Sequence, residues 1–492
     1  MEPMIPEVAA ALESWSAGRQ GPLYQRLAEA LRAAIRRGQL PGGVRLPTER
    51  ALASALSVSR STVVAAYDVL RGEGWLESRQ GSGTWVRRQA SVIRFGEDRP
   101  GFFGRSTSSF RALIEGPGEG VEFTIAALPA GPLFADLDAG EVLADLDSVA
   151  RTGYGYEVAG HPPLRRAIAR HLTERWRLPT TEEQVIVTTG AQQAVGLAAE
   201  VFARPGDTAL VEDPTYLTAI DVYTASGLRL ATVPTGVQGV RPERLREALA
   251  ATSARFAYVM PTFHNPLGTL MPERERREIA FLAEELQVPV IEDLTMADLT
   301  LGDEPPPPIG AFQGEMPVLT IGSLSKVLWG GLRIGWIRAP APVIQRLARI
   351  KLITDHGSST VAQVVAVRLL ADLDRIREVR RTVVRERKEL LERLLRERLP
   401  EWSWDPPAGG LCLWVRLPEG EAMGFATVAS RYGVSVVPGP MSSVDGNFRD
   451  RIRLPYVLEA EGLREGVERL ARAWEAYRPQ AAVRSREVRV VV

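Results

Sequence analysis

The sequence predicts an α/β protein with a mostly parallel sheet flanked by helices, headed by a small module of helices and one hairpin. Three observations carry this. Between Val121 and Arg478, apolar runs of strand length alternate with helical stretches, the pattern of strands joined by crossover helices. Between Gly21 and Val86, short helical periods separated by capping residues end in two tryptophan-bearing runs around a glycine-rich tip, the pattern of a helical bundle closed by a hairpin. The third is length: 492 residues are too many for one hydrophobic core.

Composition excludes several classes. Hydrophobic content of 45% and charged content of 24% are those of a soluble globular chain. No apolar run reaches about 18 residues, so no membrane span is expected. Met1–Ala10 shows no basic stretch leading into an apolar one, so no signal peptide is read and a cytoplasmic location is expected. Cys412 is the single cysteine, which rules out an internal disulfide, and its apolar strand-like surroundings mark it as packing. His161, His171, His264 and His356 show no ligand spacing, so no metal is expected. The formal net charge is zero, yet Arg19 to Arg88 hold twelve arginines against five acids. Such local basicity points to a polyanion partner.

The first module reads as three helices and a wing. Pro22 opens a helix with Leu23, Leu27, Leu31 and Ile35 on one face. Thr48 is the cap of a second, short helix, and Ser59 the cap of a third that carries Val63, Val64, Tyr67 and Leu70. Two short helices joined by a tight turn form a helix-turn-helix, its last helix the reader. Ser59–Arg60–Ser61–Thr62 at the head of that helix offers small donors and one arginine to phosphates and base edges. Trp75–Ser78 and Thr84–Val86 flank Arg79–Gly83 as a winged hairpin.

This stretch resembles the winged helix-turn-helix of the GntR regulators. Pro22–Leu23–Tyr24, Arg45–Leu46–Pro47–Thr48–Glu49–Arg50, Val58–Val63, Glu73–Gly74 and Gly81–Ser82–Gly83–Thr84 carry the match in order. The resemblance implies contacts to double-stranded operator DNA from Arg45, Arg50, Ser59, Arg60, Ser61, Thr62 and the wing at Gly81. The module spans 1–88. Residues 89–120 are rich in Gly, Ser, Arg and Pro and read as a linker. A large domain over 121–478 and a tail over 479–492 follow.

In the large domain, Val185–Thr189 reads as a strand, and Gly190–Ala191–Gln192–Gln193–Ala194 opens a helix. Small residues at such a turn expose backbone N–H groups to phosphate. The strand Ala209–Glu212 leads to Tyr216, which can stack on a flat ring. Phe256–Met260 leads to Asn265, an amide donor for a phenolic oxygen. Val288–Glu292 leads to Asp293, which can pair with a protonated pyridine nitrogen.

The sharpest stretch is Gly322–Ser323–Leu324–Ser325–Lys326 with Arg333 seven residues on, after the strand-like run Val318–Ile321. Lys326, Lys351 and Lys388 are the only lysines. A lysine kept in a Gly/Ser loop at a strand end invites Schiff-base chemistry, which arginine cannot perform. Ser323 and Arg333 are what a phosphate beside that imine needs. Late in the chain, Arg453 can take a carboxylate bidentately.

In order, Gly190–Ala194, Tyr216, Asn265, Asp293, Lys326, Arg333 and Arg453 resemble the cofactor set of the fold-type I aminotransferases. The whole chain is thereby similar to the MocR branch of the GntR regulators. That resemblance implies the pyridoxal-phosphate-dependent transferase fold with a small C-terminal α+β subdomain. It implies pyridoxal 5'-phosphate as cofactor, held by Ala191, Gln192, Tyr216, Asn265, Asp293, Ser323, Ser325, Lys326 and Arg333. Tyr156, or alternatively Tyr154, would be lent to the phosphate of a partner subunit in a head-to-tail, domain-swapped homodimer. A small amine or amino-acid effector would meet Arg453. Thr295 stands where many relatives have a tyrosine facing the cofactor phenol, and Leu267 interrupts the usual Asn–Pro–Thr–Gly. Two functions follow: a regulator that senses the cofactor or an amine, or a working aminotransferase with an accessory DNA-binding domain. The complete reader helix and wing favour the first.

Overall fold

The computed structural model describes residues 8, 12, 22–36, 40, 43–56, 58–72, 75–79, 83–86, 120–131 and 133–487. The chain divides into two compact units, Met1–Arg99 and Pro100–Val492. Gly81 and nearly all of the expected linker lie outside the described residues.

In the first unit, α1 (Leu23–Arg36), α2 (Glu49–Ala55) and α3 (Arg60–Gly72) precede the hairpin β1 (Leu76–Arg79) and β2 (Gly83–Val86). The expected apolar face of α1 is the buried one, with Leu27 and Leu31 fully enclosed against Val63, Tyr67 and Leu70 of α3. Both caps form. Thr48 Oγ1 accepts from Ala51 N at 3.3 Å, and Ser59 Oγ accepts from Thr62 N at 3.1 Å, each satisfying an orphan donor of its helix. The wing is antiparallel, with Leu76 opposite Val86. Arg45 forms an isolated antiparallel bridge with Trp85 at the edge of the wing.

Among its described residues the second unit carries two sheets. Its strands include β3 (Val121–Phe123), β4 (Val185–Thr188), β5 (Thr208–Asp213), β6 (Arg229–Gly236), β7 (Gly239–Val240), β8 (Ala254–Val259), β9 (Val290–Asp293), β10 (Val318–Ser323) and β11 (Gly335–Arg338). Among the described residues the larger sheet has the order β4-β11-β10-β9-β8-β5-β6-β7. Its core pairs, β10 with β9, β9 with β8, β8 with β5 and β5 with β6, are parallel, while β11 runs antiparallel to both neighbours. Ile186, Val211, Tyr258, Ile291 and Ile321 are fully buried under the flanking helices, as a two-faced parallel sheet requires.

The smaller sheet has the order β12-β13-β15-β14-β3 and joins β12 (Ser403–Trp404), β13 (Cys412–Arg416), β14 (Val434–Pro438) and β15 (Arg451–Pro455) to β3. Helices Leu373–Arg398, Ala422–Arg431 and Ala460–Glu487 cover it. The last helix runs past residue 478. The sequence reading starts the domain at Val121 without recognising a strand there. Three residues are too few for a periodic signal, and Val121–Phe123 form a strand because β14 offers a parallel edge. No helix of the described residues is long and apolar enough to cross a membrane.

Candidate functional site

The carboxyl ends of β4, β5, β8, β9 and β10 converge where an open α/β sheet places its ligands. A cleft of about 520 Å³, counting the part open to solvent, lies there. Ala191, Gln192, Tyr216, Asn265, Asp293, Ser323, Ser325, Lys326 and Arg333 all line it. The sequence scatters them over more than a hundred residues; the parallel register gathers them, with Asp293 directly opposite Ile321 on β10.

One end of the cleft is an anion cradle. Gly190, at φ +119°, ends β4's turn and caps α4 (Ala191–Phe202), whose first residues face the cleft. Arg333 lies against it: a Cβ added at Gly190 would sit 3.3 Å from an Arg333 guanidinium nitrogen. Gly335 packs equally close, and a Cβ there would stand 2.7 Å from the Gly190 carbonyl carbon. Ser323 Oγ is committed to the loop, donating to Ile334 O at 3.2 Å and accepting from Ser325 N at 3.2 Å. Ser325 Oγ is buried without a partner in the same cleft. Helix N–H groups, a guanidinium and a spare hydroxyl are the donors a phosphate takes.

The other end suits a flat heteroaromatic ring. Asp293 is buried; its Oδ2 accepts from Tyr258 OH at 2.7 Å and its Oδ1 from Thr295 N at 2.8 Å. Burial, and then the Asp293 charge, push the Tyr258 phenol well above its ordinary value, so it remains a donor. Asn265 Oδ1 accepts from Arg453 at 3.4 Å, which leaves its NH₂ as a donor. Thr295 Oγ1 is buried and unpartnered.

Lys326 also lines the cleft, half-buried, its Nζ donating to Ala126 O at 2.7 Å. Burial, then the Arg453 and Arg333 guanidiniums, bring its pKa down to about 8. Arg453, fully buried on β15, donates to Thr124 O, while its Nε has no partner. Ala126, Thr124 and Tyr258 are not legible as site residues in the sequence. The first two act through backbone carbonyls, which carry no side-chain signature. Tyr258 sits inside a strand that reads only as apolar.

Tyr156 is not brought to the cleft. It is exposed, as is Tyr154, and its ring lies 6.2 Å from that of His356. In the first unit Arg50, Ser59, Arg60 and Ser61 are exposed, Thr62 is half-buried, and the Ser59 hydroxyl lies 2.8 Å from that of Ser61 and 2.7 Å from that of Thr62. Arg45 is half-buried at the wing. An exposed helix start rich in small donors is a surface that can meet a DNA groove.

The aminotransferase class I and II family model matches residues 137–470, and that of the gntR family of bacterial regulatory proteins matches residues 23–86. The HTH-type transcriptional regulator YisV of Bacillus subtilis is 31% identical over 94% of this chain and 98% of its own length. The probable rhizopine catabolism regulatory protein MocR of Rhizobium meliloti is 29% identical over 94% of this chain and 96% of its own. Among solved structures, the α-aminoadipate aminotransferase LysN of Thermus thermophilus, complexed with N-(5'-phosphopyridoxyl)-L-leucine, matches with a TM-score of 0.66 and 30% identity. It covers 76% of this chain and 95% of its own.

The unpartnered Ser325 and Thr295 hydroxyls and the Arg453 Nε are the groups that a phosphate, a ring phenol and a carboxylate would satisfy, so the residues present fit the family's cofactor. The chain belongs to the aminotransferase class I and II family, with pyridoxal phosphate as cofactor, and joins that domain to a GntR reader as the MocR-type transcriptional regulators do.

Proposed function

We propose that this transcriptional regulator carries pyridoxal 5'-phosphate as a Schiff base on Lys326 and uses it to sense the cofactor itself or a small amine or amino acid. The observation that carries the reading is the placement of Lys326. It lines the same cleft as Arg333 and Asp293, and its amine has a pKa near 8 that leaves a nucleophilic fraction at neutral pH. The cofactor supplies an aldehyde and an electron-withdrawing ring. The chain supplies the rest. Ala191, Gln192, Ser325 and Arg333 bind the phosphate, with Ser323 holding their loop. Asp293 keeps the ring nitrogen protonated, Asn265 donates to the phenolic oxygen, and Tyr216 covers the ring. An effector carboxylate goes to Arg453.

Arg45, Arg50, Ser59, Arg60, Ser61, Thr62 and the wing at Gly81 contact operator DNA. The protein acts in the cytoplasm as a head-to-tail homodimer in which Tyr156 or Tyr154 reaches the partner's phosphate. Tyr154, Tyr156, Leu352, Ile353 and Val361 are exposed, and Thr360 Oγ1 donates to Gly155 O, which brings the 154–156 loop beside the start of Thr360–Ala371. The test is an operator titration by fluorescence anisotropy, with and without pyridoxal phosphate and a panel of amines. The reading requires an affinity change; superimposable isotherms under every condition reduce the large domain to a scaffold.

A further inference from the structure

Lys351, on the helix Ala341–Thr354, is fully buried, a rare place for an ammonium group. Its Nζ donates to the two Asp355 carboxylate oxygens at 2.8 and 2.6 Å and to Gln193 Oε1 at 3.2 Å. Three donors thus meet three acceptors. Gln193 Nε2 donates to Asp355 Oδ2 at 2.6 Å, and Gln193 Oε1 also accepts from Thr189 N at 2.9 Å. Gly357 N donates to Asp355 Oδ1 at 2.9 Å. The contacts run without a break from Lys351 to the turn on which the anion cradle is built.

Their position matters more than their strength. Gln193 lies on the first turn of α4, and Thr189 is the residue between β4 and Gly190. With Gln193 free to swing, Thr189 N would lose its acceptor. The aim of the Ala191 and Gln192 N–H groups would then depend on Gly190, whose backbone is the most permissive in the turn. A buried ion pair contributes little net stability beside apolar packing. What it adds is a fixed orientation, and the cradle is where orientation is needed.

We propose that Lys351, with Asp355, is a positioning residue for the phosphate cradle, acting through Gln193 to lock the Thr189–Ala191 turn before a phosphate arrives. The proposal rests on the reading of the cleft as the pyridoxal phosphate site. Its signature is selectivity for one end of the ligand, because Asp293 and Asn265, which face the ring, lie outside the network.

The experiment uses the full chain stripped of cofactor. Pyridoxal phosphate and pyridoxal, the same aldehyde without phosphate, are each titrated by visible absorbance. The variants are Lys351→Met and Gln193→Met; the second leaves the Lys351–Asp355 pair intact and keeps the test open where the first does not fold. Affinity for pyridoxal phosphate should fall about tenfold or more, and affinity for pyridoxal by less than about twofold. Equal losses for the two aldehydes, as general loosening would give, overturn the proposal, as does no loss in either variant. A wild-type chain with no preference for the phosphorylated aldehyde would instead refute the cradle, and the proposal with it.

Discussion

Lys326 Nζ and Ala126 O are joined by a 2.7 Å hydrogen bond. Two residues earlier, Thr124 O accepts from Arg453. A short strap following β3 therefore caps both side chains, Lys326 and Arg453, that the proposed ligands need. Arg380 holds the far end of that strap through Ala130 O at 2.9 Å and also binds Val327 O and Leu328 O, just past the lysine.

Capture of the cofactor should follow the protonation of Lys326. Only the neutral amine attacks an aldehyde, so the rate at which the visible band grows should rise with pH and level off above a midpoint of about 8. Arg453→Gln removes one cause of the depression and should move the midpoint upward, toward the ordinary 10.5. A profile flat from about pH 6.5 to 9.5 would contradict this. The sign for stability is the same. Between about 8 and 10.5 the unfolded chain binds more protons at this site than the folded one, so stability gains from rising pH in that window.

Borohydride reduction followed by peptide mapping should place the cofactor on Lys326 alone. Lys351 is locked onto Asp355, and Lys388 Nζ is paired with Glu392 at 2.9 Å. Neither lines the cleft. Lys326→Ala should abolish the reduced adduct, and recovery of it on either other lysine would refute the assignment.

Gly335→Ala should separate folding from cofactor binding. The new methyl would meet the Gly190 carbonyl carbon at 2.7 Å and push on the cradle from behind. Displacing such a turn costs on the order of 1–3 kcal/mol, which should appear as a roughly tenfold or greater loss of pyridoxal phosphate affinity. Unchanged affinity would mean that the cradle does not depend on the Gly190–Gly335 approach.

The alternation of apolar runs was enough to place β4, β5, β8, β9 and β10 within a residue or two, because strands buried on both faces read as apolar runs bounded by polar turns. Residues of the cleft that lie at the ends of such strands or just past them, Asp293 and Lys326 above all, were legible for the same reason. Ser323 was legible as a site residue, but its hydroxyl holds Ile334 O. Which of two serines in a loop keeps a spare hydrogen is decided by backbone geometry. β3 and the strap after it were not legible, since their contacts are backbone carbonyls to side chains 200 and more residues away.

In the reader, Arg50→Ala and Arg60→Ala should each weaken operator binding by roughly 1–3 kcal/mol where the contact is to a base edge. The affinity of the wild type should fall steeply with salt, and a variant that loses only a phosphate contact should show a shallower slope. Because both arginines are exposed and outside the buried face of α1 and α3, the thermal midpoint of the first unit should not move. Full operator affinity in the double variant would remove them from the interface.

A ligand shifts DNA binding only to the extent that it binds two conformations of the protein differently, and a tenfold change in operator affinity needs about 1.4 kcal/mol of such difference. Lys326 is the group that the proposed loading would alter directly. With Lys326 holding the cofactor, Nζ would have no hydrogen left to donate, and Ala126 O would lose its donor. An effector carboxylate on Arg453 would compete with Thr124 O in the same way. The strap would then have different partners with and without ligand, and in sequence only β3 separates it from the linker. Lys326→Ala should therefore keep basal operator binding, since the reader is untouched, and lose the response to pyridoxal phosphate and to amines. Side-by-side anisotropy titrations of wild type and variant decide it. A variant that still responds like the wild type would mean that sensing does not pass through Lys326, whatever the cofactor does there.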